Sequence, residues 1–288
     1  MQTDTGWIEA FLSAPEKSMH TKKAYQKELR DLYSYAKKRE VQSAQDMRAS
    51  FFEKLSEDLP TIRASRSAAA RFVSAVHSYF SFLQETGRIP TNAADFLSIP
   101  SVYPKPKTPE ILTKAEIESL LTAPQGDSMT ARRDRAILTL LYAAGLRASE
   151  VISTRVEDAD LQAGMIQVKG RLIPFDRETR KALVAWLLTR KELTADPEGP
   201  LFLSRAGKPL SRQSVWNIIR KYAKEAGLTD KGNARTLRRS LTFHLMRQGA
   251  EEETVKELLG LKSTAAYAGY RNREKERMRK AQKKARKA

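Results

Sequence analysis

A proline-rich stretch about one third of the way along the chain does most to limit how this sequence folds. Residues 98–112 (SIPSVYPKPKTPEIL) hold four prolines, and proline lacks the backbone N–H that helices and inner strands need. The stretch therefore predicts an extended linker. We expect it at 100–112, between an N-terminal domain at 1–99 and a C-terminal domain at 113–288, and two domains suit a chain of 288 residues.

The N-terminal domain is predicted to be a bundle of helices. Apolar residues recur at helical spacing in four segments: around Trp7, from Thr21 onward, over about 46–58, and through 70–87. Pro60 and Gly87 are expected to follow the ends of the third and fourth helices. We find no strand pattern before residue 100.

The C-terminal domain is predicted to be mainly α with a small β-hairpin. Thr113 and Glu116 form a capping-box pattern that opens a helix. Two strands are expected at 165–168 and 171–175, joined by a turn at Lys169 and Gly170. Further helices are expected over about 130–143, 177–191, 211–226, 235–248 and 251–259.

The net charge of +18 is concentrated in the second part of the chain. Residues 1–100 carry 14 lysines and arginines against 12 acidic residues, whereas residues 101–288 carry 38 against 22. The segment 271–288 alone has ten basic and two acidic residues. This excess predicts a polyanionic partner, either nucleic acid or an anionic membrane surface.

Composition excludes several classes of site. The chain has no cysteine and three histidines, His20, His77 and His244. Disulfide scaffolds, zinc fingers, thiol catalysis and iron–sulfur ligation are therefore excluded, and we expect no metal site. No apolar run is long enough to span a membrane, and the N-terminal residues do not resemble a signal peptide.

Three segments of the C-terminal domain carry arginines and tyrosines in a recognisable order. They are LLYAAGLRASE at 140–150, RTLRRSLTFHLM at 235–246 and LLGLKSTAAYAGYR at 258–271. They resemble the signature boxes of the tyrosine recombinases, also called the phage integrase family. Segments at 18–25 and 65–72 resemble that family's helical core-binding domain. The resemblance covers about 5–275 and is greatest to the compact Xer-like members.

The resemblance implies a phosphotyrosine mechanism. In the family, the residues that match Arg147 and Arg238 bind the scissile phosphate, and the residue that matches Glu150 supports the first arginine. The family's tyrosine corresponds to Tyr270, which would attack the phosphate and leave a 3′-phosphotyrosyl bond and a free 5′-hydroxyl. Because this bond retains the energy of the phosphodiester, the resemblance implies no metal and no other cofactor.

The family's proton donor is a lysine on a β-hairpin, which protonates the departing 5′-oxygen. Lys169 is the candidate here. The turn is several residues shorter than in most members, so Arg171 stays a less favoured alternative.

The sequence departs from the family pattern at two positions. Arg235 stands where the second box opens with histidine, and Leu261 stands where the family has histidine or tryptophan. Arg235 keeps a cationic hydrogen-bond donor near the phosphate but cannot accept the proton of the tyrosine near neutral pH. Leu261 removes a donor, which typically costs about 2.7–4 kcal/mol of transition-state stabilisation. The spacing also leaves Tyr267 as an alternative nucleophile to Tyr270.

The sequence thus predicts a two-domain site-specific recombinase that acts on double-stranded DNA sites as a homotetramer. The protein is expected to be cytoplasmic and associated with the nucleoid, and no membrane partner is expected. The segment 273–288 is either a helix passed to a neighbouring protomer or a DNA-contacting arm. The alternative function is a catalytically impaired or inactive DNA-binding protein that retains the fold, because Arg235 and Leu261 depart from the pattern.

Overall fold

The chain divides into two compact units, residues 1–108 and 109–288. A computed structural model describes residues 2–15, 18–104, 110–194 and 196–261. The described part is mainly helical with one small antiparallel sheet, which confirms the predicted fold class. Among the helices of these ranges, none combines the length and the apolar content needed to cross a lipid bilayer.

The N-terminal unit is a bundle of four helices. They are α1 (Gln2–Ser13), α2 (Met19–Lys37), α3 (Ala49–Ile62) and α4 (Arg66–Glu85), with short 3₁₀ turns at Ala44–Asp46 and Ala93–Phe96. The described residues of this unit contain no strand. Aromatic side chains fill its core, with Phe52, Phe72, Tyr79 and Phe80 almost completely buried. Burial of such large apolar side chains supplies most of the stability of a bundle this small.

Three helices of this unit have boundaries that differ from the prediction. Helix α2 begins at Met19, two residues before Thr21, because the Ser18 hydroxyl accepts a hydrogen bond from the Thr21 N–H and caps the helix. Ser65 caps α4 in the same way. The predicted third helix is a 3₁₀ turn followed by α3, which continues through Pro60, since a proline in the last turn removes only one helical hydrogen bond.

The described ranges of the C-terminal unit contain seven helices and one three-stranded sheet. The helices are α5 (Lys114–Thr122), α6 (Met129–Ala143), α7 (Ala148–Ser153), α8 (Arg177–Arg190), α9 (Arg212–Glu225), α10 (Ala234–Arg247) and α11 (Glu252–Leu259). The strands are β1 (Ala159–Asp160), β2 (Met165–Val168) and β3 (Arg171–Pro174), in the order β1-β2-β3. Helix α6 lies centrally and packs against α8 and α10, with Trp186 and Leu140 fully buried in the shared core.

Both ends of the expected linker pack onto the unit that they adjoin. The Tyr103 hydroxyl donates to the backbone carbonyls of Leu59 and Arg63 in the N-terminal unit. The Leu112 N–H donates to the Ser240 hydroxyl in the C-terminal unit, at 2.8 Å.

Candidate active site

The first box of the sequence folds into a tight connection between α6 and α7. Gly145 has a φ of +58°, and a Cβ at this position would clash with the Cδ2 atoms of Leu259 and Leu241. The backbone conformation favours glycine, and a larger residue would also require these two leucine side chains to shift. The turn places Arg147 directly before α7, where its N–H donates to Glu150 Oε2 at 2.8 Å.

Glu150 is fully buried and bonds to two guanidinium groups through one oxygen. Its Oε1 accepts from Arg147 Nη1 at 2.8 Å and from Arg171 Nη2 at 2.7 Å. Arg238 Nη1 lies 3.9 Å from the other oxygen, Oε2. We call these four residues the Glu150 cluster.

The Glu150 carboxylate remains ionised despite its burial. Burial alone raises the pKa of this carboxyl, but hydrogen bonds from the Arg147 backbone and guanidinium, with the charges of Arg147 and Arg171, hold the pKa below its usual value. The negative charge in turn orients the arginines, since buried charges are stable only when paired and hydrogen-bonded.

The same three arginines bind the C-terminal end of α11. Arg147 Nη2 donates to the Gly260 carbonyl (3.0 Å), Arg171 Nη1 to the Leu258 carbonyl (2.7 Å), and Arg238 Nη2 to the Leu259 carbonyl. Arg238 Nη1 also donates to the carbonyl of Gly145, at 2.6 Å. A helix C-terminus has unpaired carbonyls and partial negative charge, so guanidinium groups stabilise it.

Exposure differs among these arginines. The side chain of Arg147 is 42% exposed, whereas those of Arg171 and Arg238 are 16% and 11% exposed. Guanidinium groups bind phosphate oxygens through paired N–H donors. The cluster therefore presents positive charge at the surface, with Arg147 as its most accessible member.

The predicted hairpin turn is present and contains only two residues. Val168 pairs with Arg171, and Lys169 and Gly170 between them have φ values of +50° and +76°. Positive φ at both positions is typical of a type I′ turn. Lys169 is exposed at the tip, whereas Arg171 is drawn into the Glu150 cluster.

The structure brings Arg147, Glu150 and Arg238 together. Arg235 is exposed on the first turn of α10, one turn before Arg238. Leu261 is half-buried and packs with an apolar group that includes Leu245 and Met246. Tyr267 and Tyr270 lie outside the described residues.

The sequence did not reveal the contacts of Arg171. The residue is 21 positions from Glu150 and 87 positions from Leu258, so no local spacing signals them. The alternation of side chains along β3 offered a weak signal. Leu172 is exposed on one face of the strand, so Arg171 lies on the other face together with the buried Ile173.

Family profiles match most of the chain. The phage integrase family profile matches residues 110–277, and the profile for the N-terminal SAM-like domain of phage integrases matches residues 5–87. A tyrosine recombinase XerC of Thermodesulfovibrio yellowstonii is 35% identical over 254 residues, which is 84% of this chain and 82% of the relative.

Two solved structures share the fold. XerH recombinase bound to palindromic difH substrate aligns with a TM-score of 0.73 and 20% identity, over 90% of this chain and 78% of that chain. The Tn1549 transposon integrase in complex with transposon right end DNA also aligns with a TM-score of 0.73 and 17% identity, over 94% of this chain and 98% of that chain. The comparisons give no support to the alternative of an inactive DNA-binding protein. The chain therefore belongs to the phage integrase family and is a Xer-like tyrosine recombinase, an enzyme of site-specific DNA recombination.

Proposed function

We propose that this recombinase cleaves DNA through Tyr270 and binds the scissile phosphate with Arg147 and Arg238, which Glu150 holds in place. The observation that supports this most is the arrangement of Arg147 and Arg238. Both are anchored on one buried carboxylate and on the end of α11, the helix that precedes the segment containing Tyr270.

The two arginines would stabilise negative charge that develops on the phosphate. Each guanidinium carries five N–H donors in a fixed fork that fits phosphate oxygens, and the Arg147 side chain is 42% exposed and accessible to them. Because contacts with Glu150 and with backbone carbonyls hold the groups in place beforehand, little reorganisation is needed when the phosphorus becomes pentacoordinate.

The cleavage step moves two protons. The Tyr270 phenol loses its proton to water, and its oxygen forms a bond to phosphorus while the bond from phosphorus to the 5′-oxygen breaks. Lys169 gives a proton from its ammonium group to that 5′-oxygen, which leaves as a hydroxyl. Attack by a 5′-hydroxyl on the phosphotyrosyl bond reverses the step and rejoins the strand.

The other site residues receive supporting roles. Arg235 lies one turn from Arg238 on the same helix, and we assign it to a phosphate of the same strand. Leu261 offers an apolar contact in place of the hydrogen-bond donor that the family pattern has there, so cleavage is expected to be slow rather than absent.

Double-stranded DNA is the substrate, and the active assembly in this proposal is a homotetramer on two DNA sites. Exchange of strands between two sites requires four cleavages, one for each protomer. The segment 273–288 would contact DNA as a basic arm or join neighbouring protomers. The recombinase would act in the cytoplasm, on DNA of the nucleoid.

The test is a search for the covalent intermediate. A binding sequence is first selected from a pool of random duplexes and then prepared with a nick, so that the cleaved strand cannot be rejoined. We expect the protein to form a covalent adduct with this DNA. The adduct should be absent in Tyr270→Phe and present in Tyr267→Phe.

Two outcomes would change the proposal. An adduct that persists in Tyr270→Phe and is lost in Tyr267→Phe would identify Tyr267 as the nucleophile. Absence of an adduct from the wild-type protein on its selected sequence would contradict the phosphotyrosine mechanism.

A further inference from the structure

Arg171 connects three parts of the candidate active site. It is the first residue of β3, and its guanidinium bonds to Glu150 Oε1 (2.7 Å) and to the Leu258 carbonyl (2.7 Å). It also lies against Gly260, where an added Cβ would come within 2.8 Å of Arg171 Nε. The hairpin, the buried carboxylate and the end of α11 therefore meet at one side chain.

The short turn couples Arg171 closely to Lys169. Only Gly170 separates the two residues, and Val168 pairs directly with Arg171 across the hairpin. A two-residue turn of this type leaves little freedom at the tip. The position of Arg171 therefore determines the position of the Lys169 backbone.

The contacts of Arg171 argue against a role as the proton donor itself. Arginine keeps its proton under all ordinary conditions. In addition, both terminal nitrogens of Arg171 are bonded to the protein, and its side chain is mostly buried. Lys169 is exposed at the tip and has the type of group that gives up a proton.

We propose that Arg171 is a positioning residue that fixes the hairpin carrying Lys169 to the Glu150 cluster and to the end of α11. This inference rests on the proposed function, because it assumes that Lys169 protonates the leaving oxygen. Without Arg171 the hairpin would still pair with β1 and bury Ile166 and Ile173. Its tip, however, would lose its bonds to the cluster.

The test compares two leaving groups. The selected duplex is prepared with either the ordinary 5′-oxygen or a bridging 5′-sulfur at the scissile phosphate. Sulfur leaves readily as a thiolate, so its departure does not need a proton donor. Single-turnover cleavage of both substrates then reports on proton donation separately from phosphate binding.

We expect Arg171→Ala to slow cleavage of the oxygen substrate by about tenfold to hundredfold, a part of what a positioned acid contributes. Cleavage of the sulfur substrate should stay within about threefold of the wild type, since that step needs no acid. Lys169→Ala should show the same selectivity. The double variant should be no slower on the oxygen substrate than Lys169→Ala, because both changes remove one function.

Arg180→Ala is the matched control. Arg180 also braces the sheet, by donating to the Gln162 carbonyl at 3.3 Å, but at the end away from the tip. The Arg180→Ala variant should cleave both substrates at the wild-type rate. Arg171→Lys keeps a positive charge beside Glu150 but cannot span both bonds, and we expect an intermediate, equally selective loss. This variant keeps the proposal testable if Arg171→Ala fails to fold.

The inference is overturned if the Arg171 variants slow both substrates equally, or if the losses from Lys169→Ala and Arg171→Ala multiply. It is also overturned if sulfur fails to restore cleavage by Lys169→Ala. In each of these cases a wild-type adduct would leave the phosphotyrosine mechanism standing. Absence of that adduct on both substrates would instead contradict the proposed function.

Discussion

A single buried carboxylate organises the candidate active site at the residue scale. Glu150 lies three positions after Arg147, so their contact follows from the local turn and could be expected from the sequence. Its bond to Arg171 joins separate elements and could not. The family boxes thus indicated which residues matter, whereas the contacts that hold them depend on tertiary packing.

The first prediction concerns the charge of Glu150. Glu150→Gln keeps the shape of the side chain but leaves Arg147 and Arg171 without their counter-charge. We expect the free energy of unfolding to fall by about 3–5 kcal/mol, as for other buried pairs that lose one partner. Urea titration measures this change. Cleavage should slow, while affinity for the selected duplex should change little.

The control for that change is Glu157→Gln. Glu157 pairs with Arg155 on the surface, with both side chains about half exposed. Loss of such a pair should cost no more than about 1 kcal/mol. Equal effects of the two substitutions would show that the Glu150 cluster is not a stabilising feature.

The second prediction concerns pH. The pKa of Glu150 is lower in the folded protein than its ordinary value of 4.5. Its stabilising contribution is therefore complete above pH 4.5 and is lost as the pH falls below that value toward the folded-state pKa. The difference in unfolding free energy between wild type and Glu150→Gln should shrink over this range. A constant difference would contradict the assignment.

At the scale of elements, the connection between α6 and α7 controls the position of Arg147. Gly145→Ala would force a Cβ against Leu259 and Leu241 at a positive φ. We expect a loss of about 1–3 kcal/mol in stability. Cleavage should also slow, because the Gly145 carbonyl accepts from Arg238.

Gly126→Ala separates backbone strain from crowding. Gly126 has a φ of +75° and no atom within 4 Å of an added Cβ. This change should cost about 1–2 kcal/mol from strain alone and leave cleavage unaffected. If the two substitutions slowed cleavage equally, the connection between α6 and α7 would have no special role.

The hairpin allows chemistry and structure to be separated at one residue. Lys169→Asn places a residue that favours positive φ before Gly170, which suits a type I′ turn. Stability should stay equal or rise by up to about 1 kcal/mol. Single-turnover cleavage should nevertheless slow by about 10²–10⁴-fold, since the proton donor is lost. Wild-type cleavage by this variant would remove Lys169 from the mechanism.

Most helices and the hairpin were predicted from the sequence, whereas α7 and β1 were missed. Periodicity located most helices and both strands of the hairpin, because several turns of α-helix repeat an apolar face. Helix α7 has six residues and β1 has two, which is too short for any period to be visible. The start of α2 was misplaced because Ser18 and Thr21 are both able to cap a helix.

At the scale of the whole molecule, the charge distribution makes a prediction about DNA binding. Residues 271–288 contribute a net charge of +8. Removal of this segment should make binding to a single half-site less dependent on salt. The slope of log K against log salt should decrease in magnitude by about 0.9 for each phosphate that the protein no longer neutralises. Fluorescence anisotropy at several salt concentrations measures the slope.

A full-length variant distinguishes an arm from a protomer-joining helix. It replaces five lysines of the segment with glutamine: Lys275, Lys280, Lys283, Lys284 and Lys287. These are five of the ten basic residues of the segment. If the segment is a basic arm, this variant should show about half of the decrease in salt dependence seen on truncation. An unchanged slope in both proteins would favour the role in joining protomers.

The attachment of three arginines to the last turn of α11 makes activity sensitive to fraying. Opening of that one turn would release Arg147, Arg171 and Arg238 from the carbonyls of Leu258, Leu259 and Gly260 at the same time. Local openings of helix ends require far less free energy than global unfolding. Heating should therefore inactivate the enzyme before it melts, and amide hydrogen exchange in this turn should follow the loss of activity.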